Sequence, residues 1–283
     1  MDRHAPDAGS ADSATIARRL VDARRQAQAL PQYPGEVPQT LAAGYACQDE
    51  AIALWGRPVV GWKVGKIPAD WEAKLGEERL VGPIFEGAVQ APGANDSATL
   101  QGATFAVIPG GFAAVEAEYV FRIGHDAPAD KTDYTAQEAA ALVDMLMVGV
   151  ELAGSPLPLI NVLGPPVVVS DFGNNTGLIL GAEIEGWQRL PAEDLTCETF
   201  IDGHLVGEGG AASISGGLLA ALAFALSRCA SRGYPLKQGM LVTTGAATGI
   251  HDIVAGQRSR ISFGRWGDIL CNAVAATPSQ EHA

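Results

Sequence analysis

Two glutamates in the stretch of residues 115–121 are separated by a single residue. Side chains alternate between the two faces of a β-strand, so Glu116 and Glu118 would share one face. On a buried face, two like charges need a shared proton or a cation between their oxygens, because an unpaired carboxylate is costly to desolvate. On a solvent-facing strand the same alternation would need neither. The spacing alone leaves both interpretations open.

A third candidate acid, Glu151, lies in the otherwise apolar run of residues 145–153. A continuous apolar run predicts a strand that is covered on both faces. Glu151 is therefore expected to be buried and to need a partner. A third acid of this kind favours the metal interpretation over the solvent-facing one.

Other segments could add chemistry to this centre. Lys63 lies among apolar residues in a predicted strand, residues 58–66, where it could extend to the surface or hold an anionic substrate in a pocket. Residues 240–249 read as a strand that runs into a Gly/Thr loop, which is either a plain turn or a source of N–H groups for a ligand carboxylate. His251, just after that loop, is the one histidine expected to approach a site.

The composition limits the class of protein. The chain has 283 residues, 47% of them hydrophobic and 18% charged, which describes a globular protein with ample core. Its net charge of −13 argues against nucleic acid and anionic membranes as partners. Four dispersed cysteines without CxxC spacing indicate neither disulfides nor zinc, and the polar N-terminus shows no signal peptide. We expect a cytoplasmic protein.

The pattern of elements predicts an α+β fold with many short strands and a few helices. Helices are expected at residues 13–30, 39–55 and 215–231, a capping box at Thr135 and Glu138, a loop over 154–166, and hairpins at Asp202-Gly203 and at 264–267. The arginines of the first helix, Arg18, Arg19, Arg24 and Arg25, read as a solvated face without chemistry. A loop at 91–97 would divide an N-terminal part, 1–90, from a catalytic domain, 91–283.

Four motifs in order carry a resemblance to a known family: Gly61-Trp62-Lys63-Val64-Gly65, Glu116-Ala117-Glu118, Glu151 and Thr243-Thr244-Gly245. Over about residues 40–275 the chain resembles the fumarylacetoacetate hydrolase superfamily, and within it the branch of 2-keto-4-pentenoate hydratase and 4-oxalocrotonate decarboxylase. The resemblance implies a strand-rich rolled catalytic domain, a mixed β-sandwich roll, with a smaller N-terminal helical part. It also implies a homo-oligomer that acts in aromatic catabolism.

The resemblance also implies the site residues and the reaction. They are the metal ligands Glu116, Glu118 and Glu151 for Mg²⁺ or Mn²⁺, the catalytic residues Lys63 and Asp171, and the substrate-binding residues Asn174, Thr243 and Gly245. All-carboxylate sites choose hard cations of this kind. The substrate would be a 2-oxo or 2-hydroxy-dienoic acid whose enolate the metal stabilises as a Lewis acid. The expected protein is a hydratase-like lyase, with a decarboxylase or a catalytically silent 2-oxo-acid binding protein as alternatives.

The chain departs from the hydratase pattern at two places. Hydratases of this kind usually carry an Asp near the turn at residues 80–82, and a Ser in the segment where this chain has Asn174. The His-Glu pair of the carbon–carbon hydrolases is not evident either. These differences bear on the reaction more than on the metal.

Overall fold

The computed structural model of the chain describes residues 8–91 and 102–279, with side chains from residue 12 onward. Its seven helices in these ranges are α1 (Ala8–Arg25), α2 (Leu41–Trp55), α3 (Ala69–Leu75), α4 (Ala136–Ala140), α5 (Ile160–Leu163), α6 (Pro165–Ser170) and α7 (Leu218–Ser231). The strands are β1 (Val59–Lys66), β2 (Arg79–Phe85), β3 (Val89–Gln90), β4 (Ala103–Val107), β5 (Phe112–Ile123), β6 (Val143–Ser155), β7 (Asn175–Glu183), β8 (Thr196–Ile201), β9 (His204–Gly210), β10 (Leu241–Thr243), β11 (His251–Asp252), β12 (Arg258–Ser262) and β13 (Asp268–Ala275). Among the described helices, none combines the length and apolar character that a membrane span requires.

The strands form two curled sheets, which confirms the predicted α+β class. The larger sheet has the order β2-β1-β10-β5-β6-β7-β3, and β11 adds to β5 beyond the end of β10. The smaller sheet has the order β4-β13-β12-β8-β9. Strands β5 and β6 are the longest, with 12 and 13 residues, and they pair along their whole length. They form the centre on which the site is built.

One face of β5 supplies the main core. Val115, Ala117, Tyr119 and Phe121 point away from the glutamates, as their alternation predicts, and all are fully buried. They belong to one hydrophobic cluster with residues of the smaller sheet and of α7. The ring of Tyr119 meets that of Phe263 edge to face at 6.0 Å, which joins the two sheets.

The other face of the larger sheet carries less apolar surface. Val120 shares the face of the glutamates and packs in a small cluster with four further buried side chains, Ile84, Met147, Leu178 and Leu241. A separate core lies among α1, α2 and α6, and it includes the rings of Phe85 and Phe172. This cluster therefore fixes helices α1 and α2 against residues 157–172.

Local sequence explains several element ends. Thr40 caps α2 by accepting from the Ala43 N–H, and Gly56 ends that helix in the left-handed region at φ 72°. The capping box of Thr135 and Glu138 is confirmed at α4. Both hairpins are confirmed as well, one joining β8 to β9 and the other β12 to β13.

Three sequence expectations need correction. Helix α1 begins at Ala8 and ends at Arg25, where Ala27 takes a positive φ of 52°, so it does not continue to residue 30. The expected loop over 154–166 contains α5 and the start of α6. Pro165 is compatible with α6 because it occupies a first-turn position, where its missing N–H would have no partner in the helix. Helix α7 begins at Leu218, after two glycines with positive φ.

The proposed division at residue 91 stays a prediction. Most of the boundary loop, residues 92–97, lies outside the described part of the chain. Strands β1, β2 and β3 come from the first 90 residues and join the same sheet as β5, β6 and β7.

Candidate metal centre and active site

Three glutamates meet on one face of the larger sheet. Glu116 faces Glu151 directly across the β5–β6 ladder, and Glu118 lies two residues further along β5. Their exposed fractions are 4% for Glu116 and 0% for Glu118 and Glu151. One carboxylate oxygen from each lies within 4.8 Å of the others. The solvent-facing interpretation of the β5 pair is therefore wrong.

Glu118 is oriented by the main chain of the loop after β10. Its Oε2 accepts from the backbone N–H of Thr244 at 3.0 Å and of Gly245 at 2.7 Å. Gly245 has a φ of 116°, a left-handed conformation that favours glycine. The other oxygen, Oε1, is buried and has no hydrogen-bond partner among the described residues. A buried oxygen without a donor is the kind of atom that a cation would satisfy.

Three side chains from other strands contact Glu151. Lys63 Nζ lies 3.1 Å from its Oε1, and Asn175 Nδ2 donates to the same oxygen at 3.2 Å. Thr243 Oγ1 donates to Oε2 at 3.4 Å. Strands β1, β7 and β10 thus each present one side chain to this carboxylate.

Burial and neighbouring charges shift the pKa values of Lys63, Glu116 and Glu118. Burial raises the pKa of Glu116 to about 7, although Lys63 lowers it. Burial, followed by the charges of Glu151 and Glu116, raises the pKa of Glu118 well above its ordinary value. Burial alone would lower the pKa of Lys63, but the attraction of Glu151 and the other two glutamates raises it. Lys63 is therefore held as an ammonium, which can bind an anion.

This donor set fits a hard divalent cation. Three carboxylates converge, one oxygen lacks a donor, and one ammonium cannot neutralise three acids. Carboxylate oxygens are the ligands that Mg²⁺ and Mn²⁺ prefer.

Asp171 has its carboxylate engaged elsewhere. Arg24 Nε donates to Asp171 Oδ1 at 2.6 Å, and Ser155 Oγ donates to Oδ2 at 2.5 Å. Both members of the ion pair are largely buried, with exposed side-chain fractions of 7% and 1%. The expectation that Arg24 belongs to a solvated face is wrong. An Asp that is fully bonded in this way is better suited to hold structure than to move protons.

Asn174 follows Asp171 in a short irregular turn, residues 172–174. Its Nδ2 lies 3.5 Å from Asn161 Oδ1, while its own Oδ1 is buried and finds no donor in the described ranges. A Cβ at Gly82 would collide with the Phe172 carbonyl of this turn and would lie 2.8 Å from the Cα of Gly173. The turn therefore fills the space that a side chain at residue 82 would need.

The structure brings most of the expected residues together, but it gives some of them other contacts. Lys63 and Thr243 contact Glu151, and the Gly245 N–H is directed at Glu118. His251 pairs with Val115, so its side chain lies on the face away from the glutamates, where it contacts Thr248.

Sequence reasoning missed Arg24, Asn175 and Ser155. Helical spacing could have revealed Arg24, because it follows the buried Leu20 by four residues and Val21 by three. Asn175 and Ser155 are short polar residues at strand ends, and no sequence signal marks them.

Two curled sheets, with helices α1 and α2 packed against the later helix α6, define an α+β fold. Sequence comparison finds no family model and no curated protein that matches the chain. Among solved structures, 4-oxalocrotonate decarboxylase from Pseudomonas putida G7, complexed with calcium and acetate, has a TM-score of 0.77 at 18% identity over 96% of this chain and 100% of that chain. The complex of that enzyme with magnesium and adipate has a TM-score of 0.76 at 18% identity, with the same coverage.

A second enzyme among the solved structures is less similar in structure. Fumarylpyruvate hydrolase from Pseudomonas aeruginosa, in complex with Mn²⁺ and pyruvate, has a TM-score of 0.54 at 17% identity over 78% of this chain and 91% of that chain. At such identities the likeness establishes the fold. The fold that the sequence resemblance implies is therefore confirmed.

Proposed function

We propose that the protein is a divalent-metal-dependent lyase that acts on a 2-oxo or 2-hydroxy-dienoic acid. The observation that carries this proposal is the buried cluster of Glu116, Glu118 and Glu151 with one ammonium, Lys63, beside it. Solved structures of this fold contain calcium, magnesium or Mn²⁺, which supports a divalent cofactor here, with Mg²⁺ or Mn²⁺ as the expected ion.

The chain's own residues divide the work. Glu116, Glu118 and Glu151 would hold the cation, which as a Lewis acid would polarise the carbonyl of a 2-oxo carboxylate. The two N–H groups after β10 orient Glu118 and keep one of its oxygens in place. Thr243 orients Glu151 in the same way. We therefore assign Thr243 and Gly245 to the support of the ligands, in addition to the substrate contact expected from the resemblance.

Lys63 is the group that can act on the substrate. As an ammonium next to Glu151 it can bind the substrate carboxylate or donate a proton from Nζ to carbon. Asn174, with a buried oxygen that lacks a donor, is the proposed polar contact for a substrate hydroxyl. Asp171 would act through structure, since Arg24 and Ser155 engage its carboxylate.

Between the two lyase reactions, we favour decarboxylation of a 2-oxo-3-enedioate. In that reaction the bond to the distal carboxylate breaks, its electron pair enters the conjugated 2-oxo system, and CO₂ leaves. The step needs no base to activate water, and the chain lacks the Asp that hydratases usually carry near residues 80–82. The likeness to a decarboxylase over 96% of this chain and 100% of that chain supports the same choice.

Hydration of a 2-hydroxy-2,4-dienoate is the second candidate. The three acids and Lys63 would serve that reaction equally well, because both reactions pass through an enolate beside the 2-oxo carbonyl. The two differ only in what happens at the distal end of the substrate.

A substrate panel tests the proposal. The purified protein with Mn²⁺ is mixed with 4-oxalocrotonate and separately with 2-hydroxy-2,4-pentadienoate, and CO₂ release and ultraviolet absorbance are recorded. We expect CO₂ from the first. Consumption of the second alone would establish the hydratase instead. No turnover of either, together with saturable pyruvate binding that depends on Mn²⁺, would show a silent binding protein and overturn the enzyme proposal.

A further inference from the structure

Three consecutive residues before β7 have left-handed backbone conformations. The φ angles are 56° for Phe172, 66° for Gly173 and 64° for Asn174. A positive φ is ordinary for glycine and tolerated by asparagine, but it is uncommon for a bulky aromatic residue. Such strain persists only where the surroundings determine the conformation more strongly than local preference does.

Arg24 of α1 makes several of the contacts that hold the turn in this conformation. It donates to the carbonyls on both sides of the strained turn, Asp171 O and Asn175 O, each at 3.3 Å. It also donates to Asp171 Oδ1 at 2.6 Å and to Gly154 O at 2.7 Å. Its guanidinium carbon lies 5.1 Å from the centre of the Phe172 ring. One side chain thus joins the end of β6, the strained turn and the start of β7.

The clamped turn contacts the candidate active site at two points. Asn175, which ends the turn, donates its side-chain N–H to Glu151 Oε1 at 3.2 Å. Gly173 packs against the stem of Lys63, since a Cβ there would lie 3.3 Å from Lys63 Cδ. A shift of the turn would therefore move a proposed metal ligand and the proposed proton donor together.

We propose that Arg24 is a positioning residue that holds the turn of residues 172–174 in its strained conformation and thereby fixes Glu151 and Lys63. The part of this inference that concerns turnover rests on the proposed function. The part that concerns the conformation of the turn and the cation affinity of the site does not.

The test compares Arg24→Met with Arg25→Met. Arg25 is a matched control, because it neighbours Arg24 on α1, donates to the carbonyls of Leu54 and Trp55, and lies over the Trp55 ring. These contacts are at the end of α2, and none of them is a hydrogen bond to residues 171–175. Because the Trp55 ring meets the Phe172 ring edge to face at 5.7 Å, the control also measures whether that ring contact alone holds the turn. The measurements are amide hydrogen exchange over residues 172–177, Mn²⁺ affinity by titration calorimetry, and kcat and KM with 4-oxalocrotonate.

We expect Arg24→Met to speed exchange over residues 172–177 and to weaken Mn²⁺ binding by about 10-fold or more, the scale typical of residues that orient metal ligands. The fall in kcat should exceed the change in KM, while Arg25→Met changes none of these quantities. Equal behaviour of the two variants would overturn the proposal. Faster exchange without a change in Mn²⁺ affinity or kcat would also overturn it, since Arg24 would then serve the fold alone.

A second variant covers the case in which Arg24→Met leaves Asp171 as a buried unpaired charge and fails to fold. The double variant Arg24→Met with Asp171→Asn removes both charges, and its exchange and Mn²⁺ affinity are decided by the same criteria. If the wild type turns over no substrate, the proposed function fails. Exchange and Mn²⁺ affinity still decide the role of Arg24.

Discussion

Glu116 and Glu151 stand directly opposite each other across the β5–β6 ladder, and both are buried. Like charges in directly opposed positions destabilise a sheet. Lys63 relieves part of that repulsion at Glu151, and burial raises the pKa of Glu116 to about 7. One ammonium balances only part of this repulsion, and a divalent cation bound by the same carboxylates would balance more of it.

Replacing Glu118 with Gln should abolish metal-dependent turnover while the fold remains intact. The change removes the oxygen that lacks a donor, and it lowers the charge of a crowded site. We expect Mn²⁺ affinity to fall by at least the about 10–100-fold that changes around metal ligands cause. Because a ligand stabilises the state it binds, Mn²⁺ should no longer raise the melting temperature. Glu86→Gln, at an exposed position, is the control. Unchanged turnover in the Glu118 variant would rule out the metal mechanism.

Lys63→Met keeps much of the apolar stem of the side chain and removes its charge. If Lys63 donates a proton, kcat should fall by about 10²–10⁴-fold while Mn²⁺ still binds. If it only binds the substrate carboxylate, the loss should appear mainly as a raised KM. Lys66→Met, an exposed position on the same strand, serves as the comparison. Small and equal effects from both variants would remove Lys63 from the mechanism.

The stabilising effect of Mn²⁺ should grow between about pH 4.5 and pH 7. The folded, metal-free protein keeps a proton on Glu116 up to about pH 7, whereas the ordinary pKa is 4.5. The folded state thus binds more protons than the unfolded state in that window, so this group lowers stability as pH rises. A cation that replaces the proton removes that loss. Thermal melts with and without Mn²⁺ at several pH values measure the difference, and a Mn²⁺ shift that is flat or shrinks with pH would contradict the assignment.

Gly82→Ala should destabilise the protein and impair the site together. The added carbon would collide with the backbone of Phe172, which cannot move without disturbing the strained turn. Overpacking of this kind typically costs about 1–3 kcal/mol of unfolding free energy. In Gly65→Ala the added carbon would lie 3.1 Å from Leu80 Cδ1 and 3.5 Å from Lys63 Nζ, both at the ends of flexible side chains, so a smaller loss of stability is expected. Denaturant unfolding of both variants checks the order.

The convergence of the three glutamates was predictable because its signals are local. The alternation of Glu116 and Glu118 and the apolar run around Glu151 each report on a single strand. Their pairing follows from the register of β5 and β6, which the sequence does not state. For that reason the solvent-facing interpretation could be discarded only when burial was known.

The support around the centre was not predictable for a physical reason. Arg24 and Asp171 are separated by 147 positions, and no local pattern links two such residues. A helix with four nearby arginines suggests a solvated face, although the spacing from Leu20 and Val21 placed Arg24 on the apolar side. The turn of residues 172–174 was expected to be polar and irregular, but its left-handed backbone depends on contacts from α1 and β2.

Main-chain N–H groups orient Glu118, so a substitution at the residue that supplies one of them can leave that orientation intact. The N–H of residue 244 is present whatever side chain stands there, except proline. Gly245 is restricted by its φ of 116°, but residue 244 is not bound by any such angle. A library of variants at residue 244 could therefore change the surroundings of the site while the hydrogen bond from the residue 244 N–H still orients the Glu118 carboxylate. Replacing Thr244 would remove the hydrogen bond that Thr244 Oγ1 donates to Tyr119 O.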